Sequence, residues 1–310
     1  MESLSSTAVW LAIAATGAAS TLYVVHVLGL RVVVRRMATD AGNGPVVATV
    51  EHGGDGWAGP AGRWASLAAW SGLALLVVSL LARWQAVDHA PWSNMYEFTV
   101  AFATGILGFY LVFEWMYRQG QGVNQQQVKS VRTLGVVALP VVFTMLAVSV
   151  AFFPDDVHPL VPALQNTDLL AIHVAAMIIS YAVLSVSFAA AVLYLAQGKE
   201  QRFARLPKTR TLDDIAYKSV MVGFPILAAG IALGAYWANS AWGRYWGWDP
   251  KETSALVTWL IYGIFLHTHS LHGWTGTRSM IVLVIGFTAV LFTYFVVNLW
   301  VSGLHSYAGV

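Results

Sequence analysis

The sequence predicts an all-α fold: a polytopic membrane helix bundle of about eight transmembrane helices with both termini outside. Hydrophobic residues make up 57% of the 310 residues and charged residues only 10%, whereas soluble domains carry about 25% charge. Apolar runs long enough to cross the roughly 30 Å hydrocarbon core recur along the chain. The alternating pattern of membrane barrel strands does not occur, so the spans are predicted to be helices, which pair their own backbone amides.

Composition also excludes several classes of function. The chain contains no cysteine, which excludes thiolate catalysis, disulfides and thiolate metal sites. A net charge of +2 gives no electrostatic footprint for a nucleic acid. No Walker loop follows a strand, so the sequence does not support ATP-driven work.

Eight apolar runs divide the chain, which we interpret as one integral membrane domain over residues 1–310. The first run lacks the small-residue cleavage site of a removed signal peptide and is therefore predicted to be a true span. The predicted spans cover residues 7–30, 64–82, 95–117, 133–153, 169–196, 215–236, 253–271 and 279–301.

Positive charges predict the orientation, because Lys and Arg are enriched in the cytoplasmic segments of membrane proteins. With the N-terminus outside, fourteen of the seventeen basic residues fall on the inner side. Only Arg83, Arg244 and Lys251 then lie outside. We therefore expect a multi-pass cell-membrane protein with both termini on the outer face.

The inner connections offer little for chemistry. Residues 35–62 are rich in glycine and residues 119–128 in glutamine and glycine, so both are predicted to be solvated connectors. This leaves the helices and the outer segments as places for a site. The outer segments are 83–94, 154–168, 237–250 and 302–310.

The outer segment 237–250 is dense in tryptophan. Its four tryptophans are Trp237, Trp242, Trp246 and Trp248. One interpretation is an interfacial aromatic belt, although a belt places one or two aromatic residues at a helix end. Gly243 and Gly247 let a backbone approach a ligand closely, so the other interpretation is a platform for a flat, apolar ligand.

Asp249 stands at the predicted start of the seventh helix. Asp249, Pro250 and Glu252 form the pattern of an N-cap, a first-turn proline and a capping-box acid. The prediction is therefore a structural cap, to which a ligand contact by the Asp249 carboxylate would be an addition.

Residues 242–252, WGRYWGWDPKE, resemble the tryptophan-rich WWD signature of haem-handling membrane proteins, and within them the CcsA/ResC family of System II cytochrome c synthases. Four further segments resemble that family in the same order. They are Asn94–Phe98 (NMYEF), Pro162–Val174 (PALQNTDLLAIHV), Leu266–His269 (LHTH) and Gly303–Tyr307 (GLHSY). The resemblance covers about residues 92 to 307, and the first two spans carry no matching motif.

Two of the nine histidines are predicted to lie at the height of the tryptophan segment. His173 is about four residues, or roughly 6 Å, inside the fifth span, and His305 follows the eighth span on the same side. A histidine near a helix end is commonly a satisfied interfacial residue, but two that flank an indole platform can ligate one haem iron from opposite faces. The resemblance implies that role, because both match the family's external haem ligands.

His267 is predicted to lie much deeper, about 16 residues and roughly 24 Å into the seventh helix. An ionisable residue at that depth indicates a functional site, and the resemblance implies a ligand of an intramembrane haem. His26 has a similar depth in the first span and is a candidate second ligand, although in fused family members this ligand can come from the partner's part of the chain. Glu97 is predicted either to contact the cofactor or to pair with Arg244 or a histidine.

The resemblance implies a cytochrome c haem lyase subunit that presents haem b at the outer face for thioether attachment to the Cys-x-x-Cys-His segment of an apocytochrome c. The implied catalytic residues are His173, His305 and Asp249; the four tryptophans, His267, His26 and Glu97 complete the implied haem contacts. The implied partners are a ResB/Ccs1-like membrane subunit, apocytochrome c, thioredoxin-like thiol reductants and the lipid bilayer. Two alternatives are a bis-histidine b-type cytochrome in quinone electron transfer and a haem exporter without ligation activity.

Overall fold

The computed structural model describes residues 1–30, 32–37, 47–52, 56–119, 131–156, 164, 167–198, 200–203, 205–271, 274 and 276–305. Eight long helices dominate this part of the chain, and the last of them continues through a π-helical segment, Phe292–Val297. The helices are α1 (Glu2–Gly29), α2 (Ala58–Val87), α3 (Met95–Gln119), α4 (Gly135–Phe152), α5 (Thr167–Gln197), α6 (Thr209–Trp242), α7 (Pro250–His269), α8 (Thr277–Leu291) and a final turn, α9 (Asn298–Trp300).

Each of the eight predicted spans forms a helix, which confirms the predicted bundle. Seven helical segments in the described residues are long and apolar enough to cross a membrane. The exception is α7, whose first turn contains Lys251 and Glu252 and whose last turn contains His267 and His269. Polar residues at both ends of α7 shorten its apolar stretch.

The structure differs from the prediction that residues 35–62 form a solvated connector. A two-stranded antiparallel hairpin begins just after α1, formed by β1 (Val32–Met37) and β2 (Val47–His52). The start of β1 is a run of three valines, a β-branched residue that favours strands. Furthermore, α2 begins at Ala58, six residues before its predicted start.

The helix α6 also runs further than predicted, and this corrects the extent of the tryptophan loop. Trp237 and Trp242 belong to the last turns of α6 and not to a loop that starts at residue 237. The helix ends at Gly243, whose φ of +72° is the left-handed conformation that favours glycine at a helix C-terminus. The connection to α7 is therefore only residues 243–249.

Contacts between helix ends show that successive helices run antiparallel. One end of the bundle, called the site end below, contains the start of every odd-numbered helix from α1 to α7 and the end of every even-numbered one. Its contacts include Ser5 with Ser79, Arg83 with Asp155, Thr99 with Tyr294, and Asp249 with His305. Contacts at the opposite end include Tyr23 with Glu114, Leu30 with Arg205, and Asp213 with His269. Residues 1 and 305 therefore lie at the same end.

Glycines on α6 allow α5 to pack closely against it. A Cβ atom at Gly223 would lie 2.8 Å from Leu184, and one at Gly230 would lie 2.7 Å from the sulfur of Met177. Gly223 and Gly230 are seven residues apart and so lie on one face of α6, and small residues on one face permit such close approach of membrane helices. This packing places the first turns of α5 against the last turns of α6, where the tryptophans begin.

The charge distribution predicts that the site end faces outward. A reporter enzyme that is active only outside the cell should be active when fused after Asp156, because Asp155 lies at the site end. It should be inactive when fused after Gln201, which lies between α5 and α6 at the opposite end. Enzyme activity in whole cells measures both fusions, and the reverse pattern would place the site end in the cytoplasm.

Candidate functional site

A cavity opens at the site end, with a volume of about 1230 Å³ including its mouth to solvent. Its walls come from α5, α6, α7, the end of the last helical segment and the connection between α2 and α3. Most wall residues are apolar or aromatic, and the exceptions include three imidazoles, those of His89, His173 and His305. Concave, largely apolar sites with a few convergent polar groups are typical of ligand pockets.

His173 is positioned by the contact between α5 and α6. Its Nδ1 lies 2.8 Å from the carbonyl oxygen of Gly230, so Nδ1–H donates and the ring's lone pair is on Nε2. A Cβ at Gly234 would lie 2.5 Å from Cε1 of the imidazole. Glycine at that position is therefore required for the ring to lie where it does.

His305 is positioned by Asp249 at the start of α7. Its Nδ1 lies 2.7 Å from Oδ2 of Asp249, while the backbone N–H of Leu304 donates to Oδ1 at 2.5 Å. Gly303 permits this approach, since a Cβ there would lie 2.5 Å from Oδ1. The donation from Nδ1 again leaves the lone pair on Nε2.

The electrostatics of this pair follow from the same contacts. Burial lowers the pKa of His305, an effect that the hydrogen bond to Asp249 opposes and the positive charge of Lys251 reinforces. Burial alone would raise the pKa of Asp249, but hydrogen bonds from His305 and from the amides of Leu304 and Lys251 hold this pKa below its usual value. The pair is therefore a neutral imidazole donating to a carboxylate.

The four tryptophans do not form one platform in this structure. Trp237 is 1% exposed; its ring centroid lies 6.5 Å from that of His173, with planes within 5° of parallel, and 6.2 Å from that of His305. Trp242 packs edge-on against both Trp237 and His305, at 4.8 Å between centroids. Of the two in the connection, Trp246 lines the cavity and Trp248 is 69% exposed.

Glycine is needed at positions 243 and 247 for structural reasons, and not for the approach of a ligand. Gly243 ends α6 in the left-handed conformation, and a Cβ at Gly247 would lie 2.9 Å from Nε of Arg244. The predicted cap at Asp249 is confirmed: its side chain and that of Glu252 form a capping box at the start of α7. The additional contact of Asp249 is with His305.

Glu97 does not line the cavity. Its Oε1 accepts from Nε of Arg83 at 2.8 Å, and its Oε2 accepts from the backbone and the hydroxyl of Ser93 at 2.9 and 2.8 Å. The expected pairing with Arg244 or a histidine is therefore wrong, and the partner is Arg83 on α2. Glu97 and the capping side chain of Asn94 join the start of α3 to the end of α2.

His26 and His267 have different neighbours. His26 is 1% exposed, and its Nδ1 lies 2.7 Å from the carbonyl oxygen of Ala58, so it packs between α1 and α2. His267 lies on the exposed side of α7, which packs against α6 and α8. The structure does not bring the two together as a pair of ligands.

Three residues that sequence reasoning left aside also line the cavity. They are His89, Asn298 and Lys251. The position of Lys251 within the WWD signature was a usable signal. His89 had none, because its contribution depends on how the α2–α3 connection folds over the bundle.

Comparison with known proteins agrees with this architecture. A family model described as Cytochrome C assembly protein matches residues 92–305. The chain belongs to this family. It is a multi-pass membrane protein of cytochrome c biogenesis, similar to the family's CcsA members.

The cytochrome c biogenesis protein CcsA of Chlamydomonas reinhardtii is 39% identical over 241 residues, which are 75% of this chain and 65% of the relative. The CcsA of Mesostigma viride is 35% identical over 75% of this chain and 82% of its own length. That of Microcystis aeruginosa is 33% identical over 75% and 84%.

A solved structure, of the cytochrome c haem lyase CcmF, resembles the fold. The TM-score is 0.66 over 95% of this chain and 46% of that chain, with 19% sequence identity. At this identity the likeness concerns the fold alone.

Substitutions at Asp249 separate the helix cap from the positioning of His305. Asp249→Ala should lower the free energy of unfolding by about 1 kcal/mol through loss of the cap and should also reduce the yield of mature cytochrome c. Asp249→Asn retains a capping oxygen and should leave unfolding nearly unchanged. It should still reduce the yield, because a neutral amide with one acceptor oxygen cannot serve His305, Leu304 and Lys251 together.

Thermal unfolding in detergent and cytochrome c yield in cells measure the two effects. The matched control is Asp214→Asn, which removes an exposed carboxylate paired with Lys218 on α6 and should change neither. A full yield with Asp249→Asn would show that the Asp249–His305 contact is only structural.

Proposed function

We propose that this protein is the membrane subunit of a cytochrome c synthase that presents haem b at the outer face, and that His173 and His305 are the residues that would hold the haem iron. The observation that carries this proposal is that both imidazoles line one cavity and both donate through Nδ1, to the carbonyl of Gly230 and the carboxylate of Asp249. Histidines that bind metals typically donate their other ring N–H to such an acceptor, which orients the ring and raises its basicity.

The residues around the cavity fit a flat, largely apolar macrocycle. Its walls are mainly apolar side chains of α5 and α6, with Trp237 beside both imidazoles. The indole Nε1 of Trp237 is buried without an acceptor in the described residues, which leaves one donor for a polar group on the ligand. Trp246 and the exposed Trp248 complete the proposed haem contacts from the mouth of the cavity.

Orientation is the main contribution of this chain to the reaction. When bound, haem supplies the vinyl groups to which the two thiols of an apocytochrome's Cys-x-x-Cys-His segment add. His173 and His305 would hold the haem iron, the tryptophans would restrict the motion of the ring, and the open mouth would admit the apocytochrome. Fixing reactants in near-attack geometry removes much of the entropic barrier.

The proposed partners would supply the thiols and the further subunit that the reaction needs. The chain has no cysteine, so the thiols belong to the apocytochrome, and thioredoxin-like reductants would keep them reduced. A ResB/Ccs1-like membrane subunit would complete the synthase. The basic residues concentrated at the opposite end support an orientation with the WWD segment outside, and we propose the plasma membrane as the location.

Substitution of either cavity histidine tests the ligand assignment. His173→Ala or His305→Ala should reduce the yield of mature cytochrome c by at least the roughly 10–100-fold that loss of a partner around a metal site costs. The protein should remain in the membrane, and added imidazole should restore part of the yield by occupying the vacated position. Haem-stained c-type cytochrome and immunodetected protein are measured together.

The control for these variants is His269→Ala. His269 lies at the opposite end, stacked on Tyr217 and paired with Asp213, so its loss should not affect the outer ligands. Normal cytochrome c levels in both cavity variants would refute the ligand assignment.

We also propose that haem enters through a deep position at His267 before it reaches the cavity. The exposure of His267 on α7 supports a second ligand from outside this chain, such as the partner subunit. Because His267 lies near the far end of its helix, roughly 24 Å from its start, it cannot share one porphyrin with His305.

Haem content of three purified variants tests the deep position. His267→Ala should lower co-purified haem and cytochrome c yield, whereas His305→Ala should retain the deep haem but fail in maturation. His26→Ala should retain haem, because His26 is buried between α1 and α2. Unchanged haem and yield in His267→Ala would show that His267 is a lipid-facing residue only, and loss of haem in His26→Ala would restore His26 as the second ligand.

A further inference from the structure

Lys251 lines the same cavity as His173 and His305. It is the second residue of α7, directly after the cap formed by Asp249 and Pro250. None of the ion pairs and side-chain hydrogen bonds between described residues involves its ammonium group. The cavity thus contains a lysine side chain that the surrounding helices do not pair.

The neighbouring carboxylates are engaged elsewhere. Oε2 of Glu252 accepts from the backbone N–H groups of Gly247 and Asp249 at 2.9 and 3.1 Å. The Asp249 carboxylate accepts from His305 and from the backbone of Leu304 and Lys251. Both acids therefore stabilise the start of α7 and the segment that carries His305.

A lysine in this place is unfavourable for the fold. The N-terminal turn of a helix carries partial positive charge, so it favours anions and disfavours cations. Burial of an unpaired ammonium adds a desolvation cost. A residue that lowers stability in a cavity wall is better explained by what the cavity binds than by packing.

A second polar group in the cavity wall has no partner among the described residues. Trp237, which is 1% exposed, presents an indole N–H that has no acceptor among the described residues. The charge of Lys251 lies close enough to His305 to lower the pKa of that imidazole. A ligand in the cavity would thus meet a positive charge beside His305.

We propose that Lys251 is the anion anchor of the cavity: its ammonium binds a carboxylate of the ligand and fixes the rotation of the ring within its own plane. This inference rests on the proposed function, in which the ligand is haem and the carboxylate is one of its two propionates. Axial histidines fix a porphyrin's plane but not its rotation. The anchor therefore determines which vinyl group faces which thiol of the apocytochrome.

The test compares two ligands that differ only in charge. The purified full-length protein in detergent is titrated with haem and with haem dimethyl ester, whose carboxylates are neutral. Lys251→Met, which retains length without charge, should weaken haem binding by about tenfold or more and leave binding of the ester unchanged. Lys251→Arg should retain most of the preference for haem.

Two controls separate anchoring from folding. Lys218→Met removes an exposed lysine at the opposite end and should bind both ligands as the unchanged protein does. Lys251→Gln, with a shorter neutral side chain, should repeat the effect of Lys251→Met. Thermal unfolding identifies any variant that is not folded.

The outcomes distinguish failure of the anchor from failure of the proposed function. Equal affinities of Lys251→Met and the unchanged protein for haem, or equal losses for haem and ester, would overturn the anchor. A bis-histidine absorption spectrum that does not depend on His173 and His305 would overturn the proposed function. In that case the difference in affinity between haem and its dimethyl ester would still decide the role of Lys251. No binding of either ligand by the unchanged protein would overturn both.

Discussion

The carboxylate of Asp249 joins the parts on which the rest of the site depends. One side chain caps α7, accepts the Nδ1–H of His305 and accepts the backbone N–H of Leu304. The residue before Leu304 is Gly303, because any Cβ there would collide with the same carboxylate. Residues 303–305 are thus attached to the start of α7, and the WWD signature and the first three residues of the GLHSY segment form one arrangement.

The position of the His173 imidazole depends on helix packing and not on a helix cap. Gly230 supplies the carbonyl that orients His173, and Gly234 supplies the space for its ring. Close approach of membrane helices at small residues therefore also sets the position of a functional group. Two unrelated devices, a helix cap and a helix contact, place two imidazoles in one cavity, each held through its Nδ1.

Buried ion pairs stabilise the first half of the bundle, outside the helices that position His173 and His305. Glu97 pairs with Arg83 at the site end, and Glu114 pairs with Arg132 while accepting hydrogen bonds from Tyr23 and Tyr110 at the other end. Loss of one partner of such a buried pair costs about 3–5 kcal/mol. The NMYEF segment, which includes Glu97, is thus explained by the fold.

Local patterns in the sequence determined the eight helices and the cap at Asp249, because apolar length and capping residues are local features. They also determined the common height of His173 and His305 and the separate depth of His267, because position along a helix is local as well. The tertiary structure alone decided that α6 continues through Trp237 and Trp242, that Glu97 pairs with Arg83, and that Lys251 faces the cavity. In a soluble helix, polarity reveals the buried face, but lipid is as apolar as the core. Which side of a membrane helix faces its neighbours is therefore absent from hydropathy, and it is set only when distant helices pack.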